Sequence, residues 1–186
     1  MRAPHLAVIV NLAVFCGAGV IAAPQPPAHS QTKAPEKPND ALAKSVHHQI
    51  QVLPFYSVFD NIESHVDGNR VTLTGQVLRS TLKKHAEAAV KDLEGVSSVS
   101  NQIELLPASS ADDDLRTAIY RALFEDDTLK KYAAENVPPI HIVVKGGNVV
   151  LVGVVQNDSD RKLAGTLASQ VPNSKSLQNR VTVKSK

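Results

Sequence analysis

The chain has no tryptophan and a single cysteine, Cys16, among its 186 residues. That cysteine lies inside an apolar stretch from Leu6 to Ala23, preceded by Arg2 and His5, which has the form of an export signal over residues 1–22. Small residues at Val20 and Ala22 place the expected cleavage after Ala22, and an uncleaved anchor is the alternative. Phe15 stands where a lipoprotein signal wants a small residue before its cysteine, which argues against lipidation. Cleavage leaves a mature chain without cysteine, so neither a disulfide nor a thiol nucleophile is available to it. A surplus of one charge is missing as well: 20 Lys and Arg face 18 Asp and Glu, for a net charge of +2. With aromatics at 4% and no arginine-rich stripe, nothing points to nucleic acid. No His-x-x-x-His spacing occurs. His47 and His48 are neighbours on a helical pattern and diverge, while His65 and His141 fall on strands with parity that turns them from the core. A metal site is therefore not expected. Nucleophile-elbow and glycine-rich phosphate motifs are absent, so no catalytic residue, cofactor or small-molecule substrate is expected either.

What the chain does contain is a repeated phrase. "RVTLTGQV" at residues 70–77 returns 78 positions later as "NVVLVGVV" at 148–155. At the same offset Gly68 matches Gly146, Leu73 matches Leu151, Gly75 matches Gly153, and Asn101 matches Asn179. Residues 23–39 hold five of the 11 prolines and read as a semi-extended tether. Beyond it, Leu42, Val46, Ile50 and Leu53 recur at helical spacing. "NIESHV" and "RVTLTGQV" alternate around the turn signal "DGN". Ser80 or Thr81 is the expected cap of a helix bearing Leu82, Ala86, Val90 and Leu93, stopped at Gly95. Val99, Ile103 and Leu105 then alternate inward along a last strand. The order is αββαβ over residues 40–106, and after a linker at 107–111 it restarts over 112–184. Asp112 to Asp114 open the second unit, where three acids complement a helix dipole, and Asp158 or Ser159 is the expected cap of its second helix. The first helices match at a shorter offset, so the second copy carries an insertion around "AENVPP". Gly75 and Gly153 read as structural: both fall on the inward strand face, where a missing side chain lets a helix approach.

Residues 41–184 resemble two consecutive BON domains, on the strength of "DGNRVTLTGQV" with "LEGVSSVSNQIEL", and of "PIHIVVKGGNVVLVGVV" with "SLQNRVTV". The second copy departs from the pattern at "VPNSKSLQN", where the family shows a glycine–valine pair after its helix. The resemblance implies an α+β fold in two tandem modules, each a small mixed three-stranded sheet with two helices on one face. It also implies a periplasmic, non-enzymatic role in envelope maintenance or osmotic stress, through weak contact with phospholipid membrane surfaces or envelope proteins. A periplasmic chaperone-like factor that binds hydrophobic protein segments is the rival expectation.

Two surfaces are candidates for such contacts. The outward face of the repeated strand is Thr72, Thr74 and Gln76 in the first unit but Val150, Val152 and Val154 in the second. An apolar outer face wants a cover, which the first unit, a partner protein, a dimer mate or a lipid surface could supply. The other candidate is Tyr120 and Phe124, one helical turn apart, with Lys130 and Lys131 following. Aromatic and basic residues at a helix end suit an anionic membrane interface, and the plainer alternative is that both rings widen the core stripe.

Overall fold

Proline at the first position of a helix costs nothing, since its missing N–H would be unbonded there anyway, and the first helix, α1 (Pro38–Gln51), begins that way. The structure, a computed structural model, describes residues 38–135 and 137–185. The expected export signal and all of the expected tether but its last two residues lie outside the described residues. The described residues hold all the buried clusters discussed below.

Val46 and Ile50 on one face of α1 are buried, followed by Leu53 just past its end. Strands β1 (Asn61–Asp67) and β2 (Arg70–Val77) form an antiparallel hairpin, and α2 (Ser80–Lys91) crosses to β3 (Ser98–Asn101), which runs parallel to β2. Val71, Leu73 and Val77 of β2 meet Leu82, Ala86 and Val90 of α2 and the α1 stripe in one core. The second repeat follows the same plan: α3 (Ser110–Phe124), β5 (Ile140–Lys145), β6 (Asn148–Val155), α4 (Asp158–Ser169) and β7 (Ser176–Val183). β5 and β6 are antiparallel, β6 and β7 parallel. Both sheets are mixed, and in each repeat the two helices share one core with one sheet face. The insertion in the second copy carries a short 3-10 helix, Lys130–Ala134, whose Tyr132 fills that core.

The matched asparagines have a shared task. Asn101 Nδ2 donates to the Lys83 carbonyl at 2.9 Å and its Oδ1 accepts from Ile103 N–H at 3.2 Å. Asn179 repeats both bonds, to the Arg161 carbonyl and from Val181 N–H. Each ties the last strand to the first turns of the crossover helix.

Several local expectations need correction. The residue before α2 is Arg79, without a side-chain cap, because Ser80 is already helical. Asn157, not Asp158 or Ser159, caps α4 by accepting from Asp160 N–H at 2.8 Å, and Ser109 caps α3 through Asp112 N–H. In the first repeat the last strand breaks at Gln102 and resumes as β4 (Glu104–Leu105), so this sheet has a fourth short strand. Leu105, expected inward, is exposed, as is its counterpart Val183 in the unbroken β7, and Leu106 is buried on the opposite face. Leu106 packs on the outer face of the second sheet.

Candidate functional site

The valine face is covered from within the chain. Val143 and Val152 are buried against Leu106, with Leu78 and Val150 packed around them, so the ends of β2 and β4 in the first repeat lie on the outer face of the second sheet. Lys145 and Glu104 bridge the same seam as an ion pair, which holds the Glu104 carboxyl below its usual range. Being exposed, that pair contributes little beside the apolar contact. Only Val154 is left open, at 47% exposure.

Tyr120 and Phe124 do not form a membrane-facing pair. Phe124 is buried in the second core, and Tyr120 packs between it and Phe59 of the first repeat, with centroids 4.9 and 6.1 Å apart. The lysines are engaged in ion pairs. Lys130 Nζ lies 2.6 Å from Asp127, and Lys131 Nζ lies 2.7 Å from the buried carboxylate of Asp160. Burial alone would raise the Asp160 carboxyl, but donors from Lys131, Tyr132 and Asn157 outweigh it and hold the group below its ordinary range. The placement differs from the membrane alternative because α3 turns this face toward the other repeat, a neighbour that its own periodicity does not announce.

Buried charge elsewhere is structural. Asp112, one of the three acids at the start of α3, accepts from Gly146 N–H at 2.7 Å and Gly147 N–H at 2.8 Å, clasping the hairpin turn rather than only facing the helix dipole. Arg116 is buried beside it and donates to Asp113 and to the Val144 carbonyl. No group of three His, Cys, Asp or Glu among the described residues could hold a metal ion.

The segment that sequence reasoning passed over is the connection from α1 to β1, residues 52–60. For a loop it is unusually apolar, with Val52, Leu53, Phe55, Tyr56, Val58 and Phe59. That composition was the available signal. Leu53 stays in the first core, whereas Val58 enters the second core and its carbonyl accepts from Ile142 N–H at 2.8 Å on the edge of β5. Asp60, buried, accepts from Ser57 Oγ at 2.6 Å, Ser57 N–H at 3.2 Å and Leu78 N–H at 2.8 Å. Tyr56 stacks on His141 with ring centroids 5.4 Å apart, and burial pushes its hydroxyl up to about 12. His141 does face away from its own core, as its parity requires, yet the loop leaves it only half-exposed.

Burial holds the His141 imidazole below the ordinary histidine range, and its Nδ1 meets no partner among the described residues. The folded state therefore prefers the neutral ring. As pH falls the unfolded chain takes up this proton first, so the contribution is complete above about pH 6.5 and declines below it. His141→Phe keeps a ring against Tyr56 and should flatten the decline in stability as pH falls below about 6.5 in a series of urea melts. An unchanged slope would show that this ring carries none of it.

Two side chains of the same loop remain outside: Phe55 at 65% and Val52 at 56% exposure. Phe55 also has φ +68°, a left-handed backbone that costs an ordinary L residue about 1–2 kcal/mol. The Arg79 guanidinium lies over its ring, 5.3 Å from the centroid. Topology places the end of α1, the start of β1, the end of β2 and the start of α2 together, since Asn61 pairs with Gln76. From 41 to 59 and from 68 to 86 the chain has no acidic residue, and these stretches supply the helical side of that end. Arg79 and Lys84 are exposed there and Lys83 is half-buried. Exposed Glu63 belongs to the sheet's outer face, as its alternation with Ile62 requires, and Asp60 is buried. At the corresponding end of the second repeat the residues after α3 are Glu125, Asp126 and Asp127.

Among known proteins, the family model of the BON domain matches residues 53–107 and 111–185, once on each repeat. No curated protein matches the chain. Among solved structures, it is similar to CdsD, a structural protein of the type III secretion system of Chlamydia trachomatis, at 14% identity and TM-score 0.30, over 77% of this chain and 92% of that one. A structure of the CdsD C-terminal domain matches at 15% identity and TM-score 0.26, over 76% and 96%. Likeness at this level carries no argument about structure or role.

Proposed function

The chain belongs to the BON domain family on both repeats, and from that premise we propose that it is a non-enzymatic, exported envelope protein of the periplasm that rests weakly on anionic phospholipid surfaces. The apolar leader in the sequence supports export, and no helix among the described residues is long and apolar enough to cross a membrane. One observation carries the lipid reading: the basic helical side of this end of the first repeat, formed by Arg79, Lys83 and Lys84, where Asp60 is buried and Glu104 is paired with Lys145. With a net charge of only +2, attraction to an anionic surface has to be local, and here it is. The chaperone-like reading would need the valine face, which Leu78 and Leu106 occupy.

The test is co-sedimentation of residues 35–186, which omit the apolar leader, with vesicles of phosphatidylglycerol mixed into phosphatidylcholine and with pure phosphatidylcholine vesicles. Binding should require the anionic lipid and fade as salt is added. A basic residue near such a surface is worth about 1 kcal/mol, so reversing two in Lys83→Glu/Lys84→Glu should weaken binding more than tenfold with the fold intact. Equal binding to both vesicle types, or none at low salt, would overturn the proposal.

A further inference from the structure

We propose that Phe55 is a preset wedge that enters the headgroup–acyl boundary of that phospholipid surface; this rests on the lipid reading above and identifies its contact element. The observation is independent of the charge pattern. Phe55 is exposed and held on a left-handed backbone, φ +68°. Among the described residues the other non-glycine with positive φ is Asn173, a type that tolerates the conformation, whereas phenylalanine does not. Glycine or asparagine at 55 would close the same turn without strain and without an exposed ring, so the turn alone does not account for phenylalanine.

The rest of the loop leaves this side chain no freedom to withdraw. Leu53 is fixed in the first core, Tyr56 on His141, Val58 and Phe59 in and against the second core, and Ser57 on Asp60. An aromatic presented by a rigid loop pays no ordering cost on binding, which favours a shallow, repeated contact. Charge selects the occupant. The ring is flanked by Arg79, with Lys83 and Lys84 following on the same helix end and no acidic residue between 68 and 86. With the ring roughly 5–10 Å into the boundary, the Arg79 guanidinium sits at the level of the phosphates, which its planar donors match two at a time.

The absence of tryptophan makes the test direct. In residues 35–186, Phe55→Trp is the sole tryptophan. Its emission should shift to the blue on adding phosphatidylglycerol/phosphatidylcholine vesicles, and lipids brominated on the acyl chains should quench it. Phe55→Gly relieves the positive φ, so its thermal stability should hold or rise while its vesicle affinity falls about tenfold, the loss expected when a largely buried phenylalanine contact disappears. Stability and binding thus move apart, and misfolding cannot mimic the result. If the parent protein sediments with anionic vesicles but Phe55→Trp neither shifts nor is quenched, or Phe55→Gly binds as well as the parent, the wedge is wrong and the electrostatic reading stands. If the parent does not sediment, both fall. A blue shift that grows with protein concentration in lipid-free buffer would assign the loop to a second copy and overturn the lipid assignment.

Discussion

Gly153→Ala should destabilise the second repeat by about 3 kcal/mol, and Gly153→Val by at least as much. A Cβ at this position would stand 1.8 Å from the Pro139 carbonyl oxygen and 2.9 Å from its carbon, on a backbone with φ +130°. Gly75 is its counterpart, with φ +111° and a Cβ position 2.1 Å from the Asn61 carbonyl oxygen. In both repeats the obstacle is the backbone of the neighbouring strand at the start of the hairpin. The sequence pattern suggested helix approach as the reason for these glycines, and the geometry corrects it. The two explanations separate in the mutant series. A helix packing over the strand would tolerate alanine and reject valine, whereas a carbonyl in the path of Cβ rejects both. For a folded unit of this size the loss corresponds to a fall of roughly 6–12 °C in Tm. Melts of Gly75→Ala and Gly153→Ala within a degree of the parent protein would sink this account.

Val152→Lys should cost about 2–3 kcal/mol and uncouple the repeats, because it places an ammonium among Leu106, Val143, Leu78 and Val150. Partial escape of the long side chain to water keeps the figure from being larger. Val154→Lys, on the same face but 47% exposed, should stay within about 0.5 kcal/mol of the parent and serves as its control. Calorimetry should show the single transition of the parent broadening or splitting in Val152→Lys, and limited proteolysis should open the connection around residues 107–109. Matching melts for the two lysine variants would mean that the seam contributes nothing to holding the repeats together.

The duplication, the order of elements and most core positions were legible in the residues themselves. Val71, Leu73 and Val77, or Leu82, Ala86 and Val90, are buried by a periodicity of two or of 3.6, and such a period is local: each strand or helix has one apolar side and must bury it. Asn101 and Asn179 could be matched by offset, though the bonds they make could not. What lies across from an outer face is not a local property, and there the tertiary structure decided. Tyr120 and Phe124 fit both an interfacial and a core pattern; Phe124 is buried in its own core, and Phe59 from the other repeat packs against Tyr120. The valines at 143 and 152 are covered by Leu106, which alternation already puts on the outer face opposite Leu105, and only the packing of one repeat on the other brings it to them. Phe55 lies outside for the converse reason: its neighbours 53, 56, 58 and 59 are claimed by two different cores, and the one backbone path satisfying both turns residue 55 to solvent with a positive φ.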